Sequence, residues 1–344
     1  MIKVAINGFG RIGRVAFRAA LERYGDKIEV VAINTSGSMD IAGWAHLLKY
    51  DTVYGKLQRE LGQTTDNKGQ RDEIGTLIID GKKIPVLAQK EPGKIPWEQY
   101  KPDVVLEATG VFLTSKDCQG HLTAGAKKVI ISAPAKDDTP TYLVGVNADR
   151  YQGEKIISNA SCTTNCIAPI AKLMQENFHT NIGIMTTIHA YTADQELVDG
   201  SHKDLRRARA AASNIIPTTT GAAEALVRVL PDFQGKFNGL AIRVPVACGS
   251  LADFTFVLDH NARVERVNRI LDQASAGQYQ GIIEVTNEPL VSSDVIGSSA
   301  SALVDLNLTS VTAGNLVKIV AWYDNEWGYA CRLVELADLV GQYK

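Results

Sequence analysis

The chain has 344 residues, 45% of them hydrophobic, which is more than one core usually holds, so two domains are expected. Its formal net charge is −2, with 36 basic and 38 acidic residues well mixed, which argues against nucleic acid or an anionic membrane as partner and for small solutes. No apolar run reaches about 18 residues, the first apolar strand leads into a glycine loop rather than a cleavage site, and the scattered cysteines Cys118, Cys162, Cys166, Cys248 and Cys331 suggest neither a disulfide framework nor a metal site; a soluble protein of the reducing cytoplasm is expected.

In chain order, IKVAIN, Arg11 to Tyr24, IEVVAIN and a helical segment near Ile41 to Lys49 alternate strand and helix, the pattern of βαβ units on a parallel sheet. Asp80-Gly81 inside TLIIDGKKIPVLA has the composition of a tight hairpin turn and predicts an antiparallel insertion. Strands resume at DVVLEATG, KKVIISAP and KIISNA, with a helix after Thr114, and the sheet is expected to close near Ala160. From Cys162 a helix runs to about Phe178. Long extended runs follow, GIMTTIHAY, LAIRVPVACGSLADFTFVLD, IIEVTN, SALVDLNL and NLVKIVAWYD, with only ALVRVL and ARVERVNRILDQA helical between them. WGYACRLVELADLVGQY has helical spacing and is expected to return to the first domain.

Gly8-Phe9-Gly10-Arg11-Ile12-Gly13 is a GxGxxG between a strand and a helix, where glycines permit a tight turn and close approach of a pyrophosphate to the helix N-terminus. The expected class is therefore α/β: a Rossmann-type parallel-sheet domain over 1–161 and 326–344, plus a mixed, mainly antiparallel α+β catalytic domain over 162–325. The second strand ends at Asn34, and Thr35 and Ser36 stand where such folds usually place an acid for the ribose 2′-hydroxyl. Without a carboxylate to repel a 2′-phosphate, NADP is a candidate cofactor beside NAD; alternatively Asp40 or the backbone serves the hydroxyl. Cys162, at the strand-to-helix passage of SNASCTTNC, has its thiolate favoured by the helix dipole, while Cys166 one turn on reads as buried and inert. His189 ends GIMTTIH and is either a core histidine or the base for that thiol, since sequence alone does not show adjacency in space.

INGFGRIGR, ISAP, SNASCTTNC, TTIHAYT, DLRRARAAASNIIPTTTGAA, RVPV and AWYDNEWGY, in this order over nearly the whole chain, resemble the phosphorylating glyceraldehyde-3-phosphate dehydrogenases. The resemblance implies that Cys162 attacks the aldehyde of glyceraldehyde 3-phosphate, with His189 as general base, and that inorganic phosphate displaces the resulting thioester to give 1,3-bisphosphoglycerate. It implies that Thr192, Arg209 and Arg243 hold the substrate phosphate and that Ser161, Thr163, Thr220 and Gly221 hold the attacking one. It further implies cofactor contacts from Gly8, Gly10, Arg11, Ile12, Gly13, Lys90, Thr109, Gly110 and Ser132, with Asn325 on the nicotinamide carboxamide, and a homotetramer. NAD-using members commonly carry an acid at the position of Thr35 and a Leu-Pro or Gly-Pro pair in the loop after Thr192. Thr35 and Gly200-Ser201 here are similar to the NADP-using photosynthetic members, which implies that Ser201 meets a 2′-phosphate across a subunit interface and that NADP is preferred. An erythrose-4-phosphate dehydrogenase and a catalytically silent binding protein of the same ancestry are the alternatives.

Overall fold

The structure, a computed structural model, describes residues 1–65 and 72–343. It forms two compact units: Met1–Tyr142, Arg150–Ala160 and the residues from Ala330 on make the first, and Leu143–Asp149 with Ser161–Tyr329 the second.

In the first unit β1 (Ile2–Asn7), α1 (Arg11–Arg23), β2 (Ile28–Asn34) and α2 (Ile41–Lys49) alternate as the sequence predicts. A short hairpin of β3 (Tyr50–Asp51) and β4 (Gly55–Lys56) comes next, then β5 (Leu61–Thr64), β6 (Glu73–Ile79) and β7 (Lys82–Leu87). The remaining elements are α3 (Trp97–Tyr100), β8 (Val104–Glu107), α4 (Ser115–Thr123), β9 (Lys128–Ile131) and β10 (Ile156–Ser158). The strand order is β10-β9-β8-β1-β2-β7-β6-β5. Every pairing from β10 to β7 is parallel, and β6 is antiparallel to both β7 and β5. The Asp80-Gly81 hairpin is thus an arm of the main sheet, because β7 joins β2 at Ile33↔Val86 and Asn34↔Leu87. Parallel strands covered on both faces need apolar residues at consecutive positions, and Val4, Ala5 and Ile6 of β1 are all buried. One face packs Ala5, Ala32, Val105, Val129 and Ile131 with Trp97 and Cys118. Phe9 meets Phe17 and Trp44 edge-on, at 5.8 and 6.0 Å between ring centroids. The carboxyl ends of β1, β2 and β8 lie side by side, which is where open parallel sheets present their loops to ligands.

The second unit begins with α5 (Cys162–Phe178), β11 (Thr180–Ala190), β12 (Ile216–Thr218), α6 (Ala222–Val229), β13 (Phe237–Val244) and β14 (Ser250–Leu258). It continues with α7 (Val264–Ala276), β15 (Ile283–Thr286), β16 (Ala302–Asp305), β17 (Ser310–Thr312), β18 (Leu316–Tyr323) and the start of α8 (Trp327–Gln342), whose residues from Ala330 belong to the first unit. The sheet runs β12-β13-β11-β14-β18-β16-β15, with β17 on β18. Only β11–β13 and β15–β16 are parallel. The apolar run from Leu240 to Asp259 is two strands rather than one, since Pro245 and Gly249 flank a turn between β13 and β14. β14 alternates buried and half-buried residues throughout, so one face of the sheet is core. On the other face Ile182, Ile184 and Leu240 are exposed.

Gly8, just after β1, carries a test of this packing. Its φ is +96°, and a Cβ there would stand 2.6 Å from the Thr109 nitrogen and 2.7 Å from the Ala108 carbonyl carbon, both backbone atoms. Gly8→Ala is expected to lower the stability of the chain by about 3 kcal/mol, from left-handed strain plus a clash that no side chain can relieve. Urea unfolding measures it, and an unchanged midpoint would show that the two loops do not pack as described.

Candidate active site

The glycine loop and the groove beside it are built on the first unit. Gly10 precedes α1 without a side-chain cap, and the first turn of α1 holds no acidic residue, so its free N–H groups face outward unopposed by a carboxylate. A Cβ on Gly13 would collide with the Gly8 carbonyl, whereas one on Gly10 would meet no protein atom within 4 Å. Packing therefore explains the third glycine and not the second. A groove of about 440 Å³ opens here, and Gly8, Gly10, Asn34, Thr35, Ser36, Lys90 and Thr109 are among its walls. Ile12 lies in the first turn of α1, Gly110 follows Thr109 at φ +72°, and Ser132 follows β9, its N–H donating to the Glu107 carbonyl at 2.9 Å. The Arg11 guanidinium is turned to Asp51, at 2.5 Å, and sits over the Tyr54 ring. Its side chain is thus engaged within the protein.

Thr35 departs from expectation. Its side chain is buried and its hydroxyl donates to the Leu87 carbonyl at 3.0 Å, so it does not face solvent as a donor. Ser36 is exposed and its hydroxyl donates to Ser38, 2.9 Å away. Asp40 caps α2 by accepting the Gly43 N–H at 2.8 Å. Ser201, in the second unit, is exposed.

The thiol centre is built on the second unit. Ser161 caps α5, its hydroxyl accepting the Thr164 N–H at 3.1 Å, and Cys162 is the first residue of that helix. Ala160 immediately before them is held at φ +52°, a left-handed conformation that turns the chain from strand into helix. Cys162 Sγ lies 3.5 Å from His189 Nε2. The parallel register of β11 and β13 sets His189 opposite Arg243. His189 Nδ1 is 2.6 Å from the Ala190 carbonyl and 3.1 Å from Arg243 Nη1. The shorter contact is to an atom that can only accept, so we assign the proton to Nδ1, which leaves Nε2 as the acceptor facing the thiol.

Burial, and then the Arg243 cation, push the imidazole down from 6.5 to about 4. Burial also pushes the Cys162 thiol up, against the pull of Arg243 and the hydrogen bonds from Thr163. The expected lowering by the helix N-terminus alone is therefore overturned: in the unliganded chain desolvation outweighs it, and charge is disfavoured on both partners. Such an imidazole is neutral at pH 7 and able to take a proton. Cys118, Cys166, Cys248 and Cys331 are buried, and burial raises Cys166 well above the ordinary thiol range.

From His189 a polar chain runs outward. Arg243 Nη1 donates to the Thr192 hydroxyl at 2.7 Å, Thr192 donates to Asp194, and Arg207 Nη1 pairs with Asp194 at 2.5 Å. Arg207 also donates from Nε to Thr218 at 2.9 Å and from Nη2 to the Thr219 carbonyl at 3.2 Å. Burial raises the Asp194 carboxyl, but the Thr192 hydroxyl, Arg243 and Arg207 outweigh it and hold the group below the ordinary carboxylate range. Arg209, the arginine expected with Thr192 and Arg243, takes no part in this line of polar contacts. Its side chain is 62% exposed and pairs with Asp199, itself 61% exposed, whereas Arg207 is 19% exposed. Nothing in RRAR tells which arginine turns inward; Asp204 decides it, accepting the Arg206 N–H at 2.9 Å and the Thr218 hydroxyl at 2.8 Å. The Thr163 hydroxyl lies 3.1 Å from the Tyr323 phenol, which also reaches Thr187 at 2.7 Å and meets the His189 ring edge-on; sequence reading passed over Tyr323 because it looks like one more apolar position of its strand. The Thr220 hydroxyl accepts the Ala222 N–H at 3.2 Å, and Gly221 opens α6. Asn325 Oδ1 accepts from Ser250 at 2.8 Å and from the Cys248 thiol at 3.8 Å, and its amide nitrogen has no acceptor among the described residues.

The depressed His189 fixes the sign of a pH effect. A histidine that titrates at about 4 when folded and 6.5 when unfolded takes up its proton on unfolding, so its contribution to stability is present above 6.5 and is lost as pH falls from there towards 4. His189→Asn is expected to flatten the fall in unfolding free energy over that window; a slope equal to wild type would show that His189 is not held neutral.

Two family models match the chain: the glyceraldehyde 3-phosphate dehydrogenase NAD binding domain over residues 2–115 and the C-terminal domain of the same family over residues 161–325. Glyceraldehyde-3-phosphate dehydrogenase 2 of Streptomyces avermitilis is 51% identical over 342 residues, 99% of this chain and 98% of that protein. Glyceraldehyde-3-phosphate dehydrogenase of Streptomyces coelicolor is 51% identical over 343 residues, with 99% and 98% covered. That of Geobacillus stearothermophilus is 50% identical over 338 residues, with 98% and 97% covered. With these matches end to end on a chain that sets a cysteine at a helix start against a strand-borne histidine, the protein belongs to the glyceraldehyde-3-phosphate dehydrogenase family.

Proposed function

We propose that the chain catalyses the reversible oxidative phosphorylation of D-glyceraldehyde 3-phosphate to 1,3-bisphosphoglycerate with a nicotinamide dinucleotide. In this reading 1–161 and 326–344 are the dinucleotide-binding domain and 162–325 the catalytic domain. The observation that carries it is the 3.5 Å approach of Cys162 Sγ to a neutral His189 Nε2 with Arg243 alongside. His189 takes the thiol proton as sulfur bonds to the aldehyde carbon. The resulting oxyanion is held by the Cys162 N–H, free at the start of α5, and by His189. When bound, the nicotinamide ring accepts a hydride from that carbon. A thioester on Cys162 remains; an oxygen of inorganic phosphate attacks it, the C–S bond breaks, and the proton that His189 holds returns to sulfur.

Thr192 and Arg243 hold the substrate phosphate, with Arg207 in the place expected of Arg209. Ser161, Thr163, Thr220 and Gly221 receive the attacking phosphate, the last two at the start of α6, where N–H groups are unsatisfied by the helix. Gly8, Gly10, Gly13, the Arg11 and Ile12 backbone, Asn34, Lys90, Thr109, Gly110 and Ser132 hold the dinucleotide, and Asn325 donates to the carboxamide. The open space over Gly10 and the uncapped start of α1 fit a pyrophosphate. The groove takes either NAD or NADP, with NADP modestly preferred, because Asp40 gives a carboxylate oxygen to its helix cap and no acid is among the described residues that line the groove. With Thr35 turned inward, its part is to be uncharged, and the hydroxyls left for a 2′-phosphate are Ser36 and, across a subunit interface, Ser201 of a neighbouring copy. A homotetramer in the cytoplasm completes the reading. Leu197, Val198, Leu205 and Ile215 in the loop after β11, and Ile182, Ile184 and Leu240 on the open face of the sheet, are exposed apolar side chains of the kind that a subunit contact covers.

Three measurements test this reading. Under mild iodoacetamide treatment Cys162 is expected to be the fast-reacting thiol, with a rate that climbs from neutral to alkaline pH because its thiol is raised; peptide mapping that finds a buried cysteine modified first, with activity kept, contradicts it. Arg207→Ala is expected to lower kcat/KM for glyceraldehyde 3-phosphate by about 100-fold, the loss of a charge-assisted contact, and Arg209→Ala by less than about three-fold, as for an exposed pair; the reverse order would restore Arg209. For cofactor choice, kcat/KM with NADP is expected to exceed that with NAD by several-fold, on the order of 1 kcal/mol from neutral donors, and Thr35→Asp should reverse the ratio. A wild type that strongly prefers NAD, unmoved by the substitution, contradicts it.

A further inference from the structure

The chemistry above makes no use of a carboxylate and an imidazole that are almost wholly buried in the first unit. Glu107, the last residue of β8, is 2% exposed, and His121, in the last turn of α4, is 0% exposed. Trp97 Nε1, which can only donate, lies 2.9 Å from His121 Nδ1. Nδ1 is therefore the acceptor, and Nε2–H donates to Glu107 Oε2 at 3.1 Å. The same oxygen accepts from Asn7 Nδ2 at 2.5 Å. The other carboxylate oxygen accepts the Thr109 N–H at 2.8 Å and the Thr109 hydroxyl. Four donors converge on one carboxyl group.

From Asn7 the bonds continue sideways. Asn7 Oδ1 accepts from Asn34 Nδ2 at 2.7 Å, and Asn34 exchanges bonds with the Gln89 backbone, giving to its carbonyl at 2.8 Å and taking from its N–H at 2.9 Å. One buried charge thus ties together the carboxyl ends of β1, β2, β7 and β8. Asn7, Asn34, Gln89 and Thr109, the groups so tied, all line the 440 Å³ groove, and the Thr109 backbone is the surface against which Gly8 packs. A buried ion of this kind contributes little net stability compared with an apolar pair of the same volume, so its consequence is geometric. We infer that Glu107 and His121 are positioning residues for the dinucleotide, fixing Thr109 and the Asn7–Gly8 backbone without touching the ligand. This rests on the reading of the groove as the cofactor site.

Glu107→Gln keeps the volume and points an amide N–H2 at donors. Titration of NADH and NADPH by quenching of protein tryptophan fluorescence is expected to show binding about ten-fold weaker than wild type, one unmet donor's worth. The KM for the oxidised cofactor should rise by the same factor, kcat should stay within about two-fold, and alkylation of Cys162 without cofactor should be unchanged. His121→Leu removes a donor and should weaken binding likewise. His121→Gln retains an N–H for Glu107 and should fall between it and wild type, an order that a loss of packing alone would not produce. Should Glu107→Gln fail to fold, the two His121 variants decide. Unchanged cofactor affinity in Glu107→Gln or His121→Leu, or a loss of kcat with affinity intact, overturns the proposal. A wild-type chain that binds neither NADH nor NADPH overturns the reading of the groove instead.

Discussion

The parallel pairing of β11 with β13 is the constraint on which the thiol centre depends. It fixes His189 opposite Arg243 through backbone hydrogen bonds, so an imidazole and a guanidinium that would repel as two cations are held side by side. Burial is the larger reason the imidazole stays neutral, and the Arg243 cation, which does not give up its proton, drives it the same way. A neutral imidazole pointing Nε2 at a sulfur is the arrangement general-base chemistry needs. Arg243 does a second thing from the same position: it holds Thr192, and through Asp194 it holds Arg207, so the base and the polar chain beyond it form one hydrogen-bonded structure.

The first unit solves a different problem by similar means. Its parallel sheet gathers the ends of β1, β2 and β8, but loops that only meet at their tips would be loosely placed. Glycine at position 8 lets one loop press on the next, and the buried Glu107 binds them from beneath. Side chains near the groove are largely committed to the protein itself: Arg11 to Asp51, Thr35 to Leu87, Asp40 to its helix. What the groove presents is largely apolar, with Phe9, Trp44, Val111 and Phe112 among its walls, while the uncapped start of α1 and the exposed Ser36 supply the polar edge that suits a phosphate.

Much of the fold was legible in the sequence because its signals are local. Alternation of short apolar runs with amphipathic stretches marked the parallel sheet, GxGxxG marked the start of α1, Asp80-Gly81 marked a turn, and SNASCTTNC marked the start of α5. What the sequence hid depended on partners distant along the chain. The strands β3, β4, β12 and β17 are of two or three residues and exist through pairing rather than pattern. Pro245 and Gly249 divide an apolar run that composition alone reads as continuous. Arg207 and Arg209 are indistinguishable in RRAR, and only the fold about Asp204 turns the first inward. Thr35 occupies the position at which such folds place a ribose-reading acid, yet the Leu87 carbonyl, on a strand that joins the sheet much later, takes its hydroxyl. The thiol was expected to be acidic from its place on a helix, and the burial that reverses this is a property of the second unit as a whole. Glu107 and His121 carry no motif, and their meaning emerges only when β1, β8 and α4 are brought together.

The proposed chemistry requires Cys162 to carry a covalent acyl intermediate that phosphate then removes. The direct measurement is intact-protein and peptide mass spectrometry of the chain mixed with glyceraldehyde 3-phosphate and oxidised cofactor in phosphate-free buffer. The account expects one 3-phosphoglyceryl group per chain, located on Cys162, that disappears when inorganic phosphate is added with release of 1,3-bisphosphoglycerate. Turnover that leaves no acyl group on the protein, or an acyl group on a cysteine other than Cys162, would contradict it.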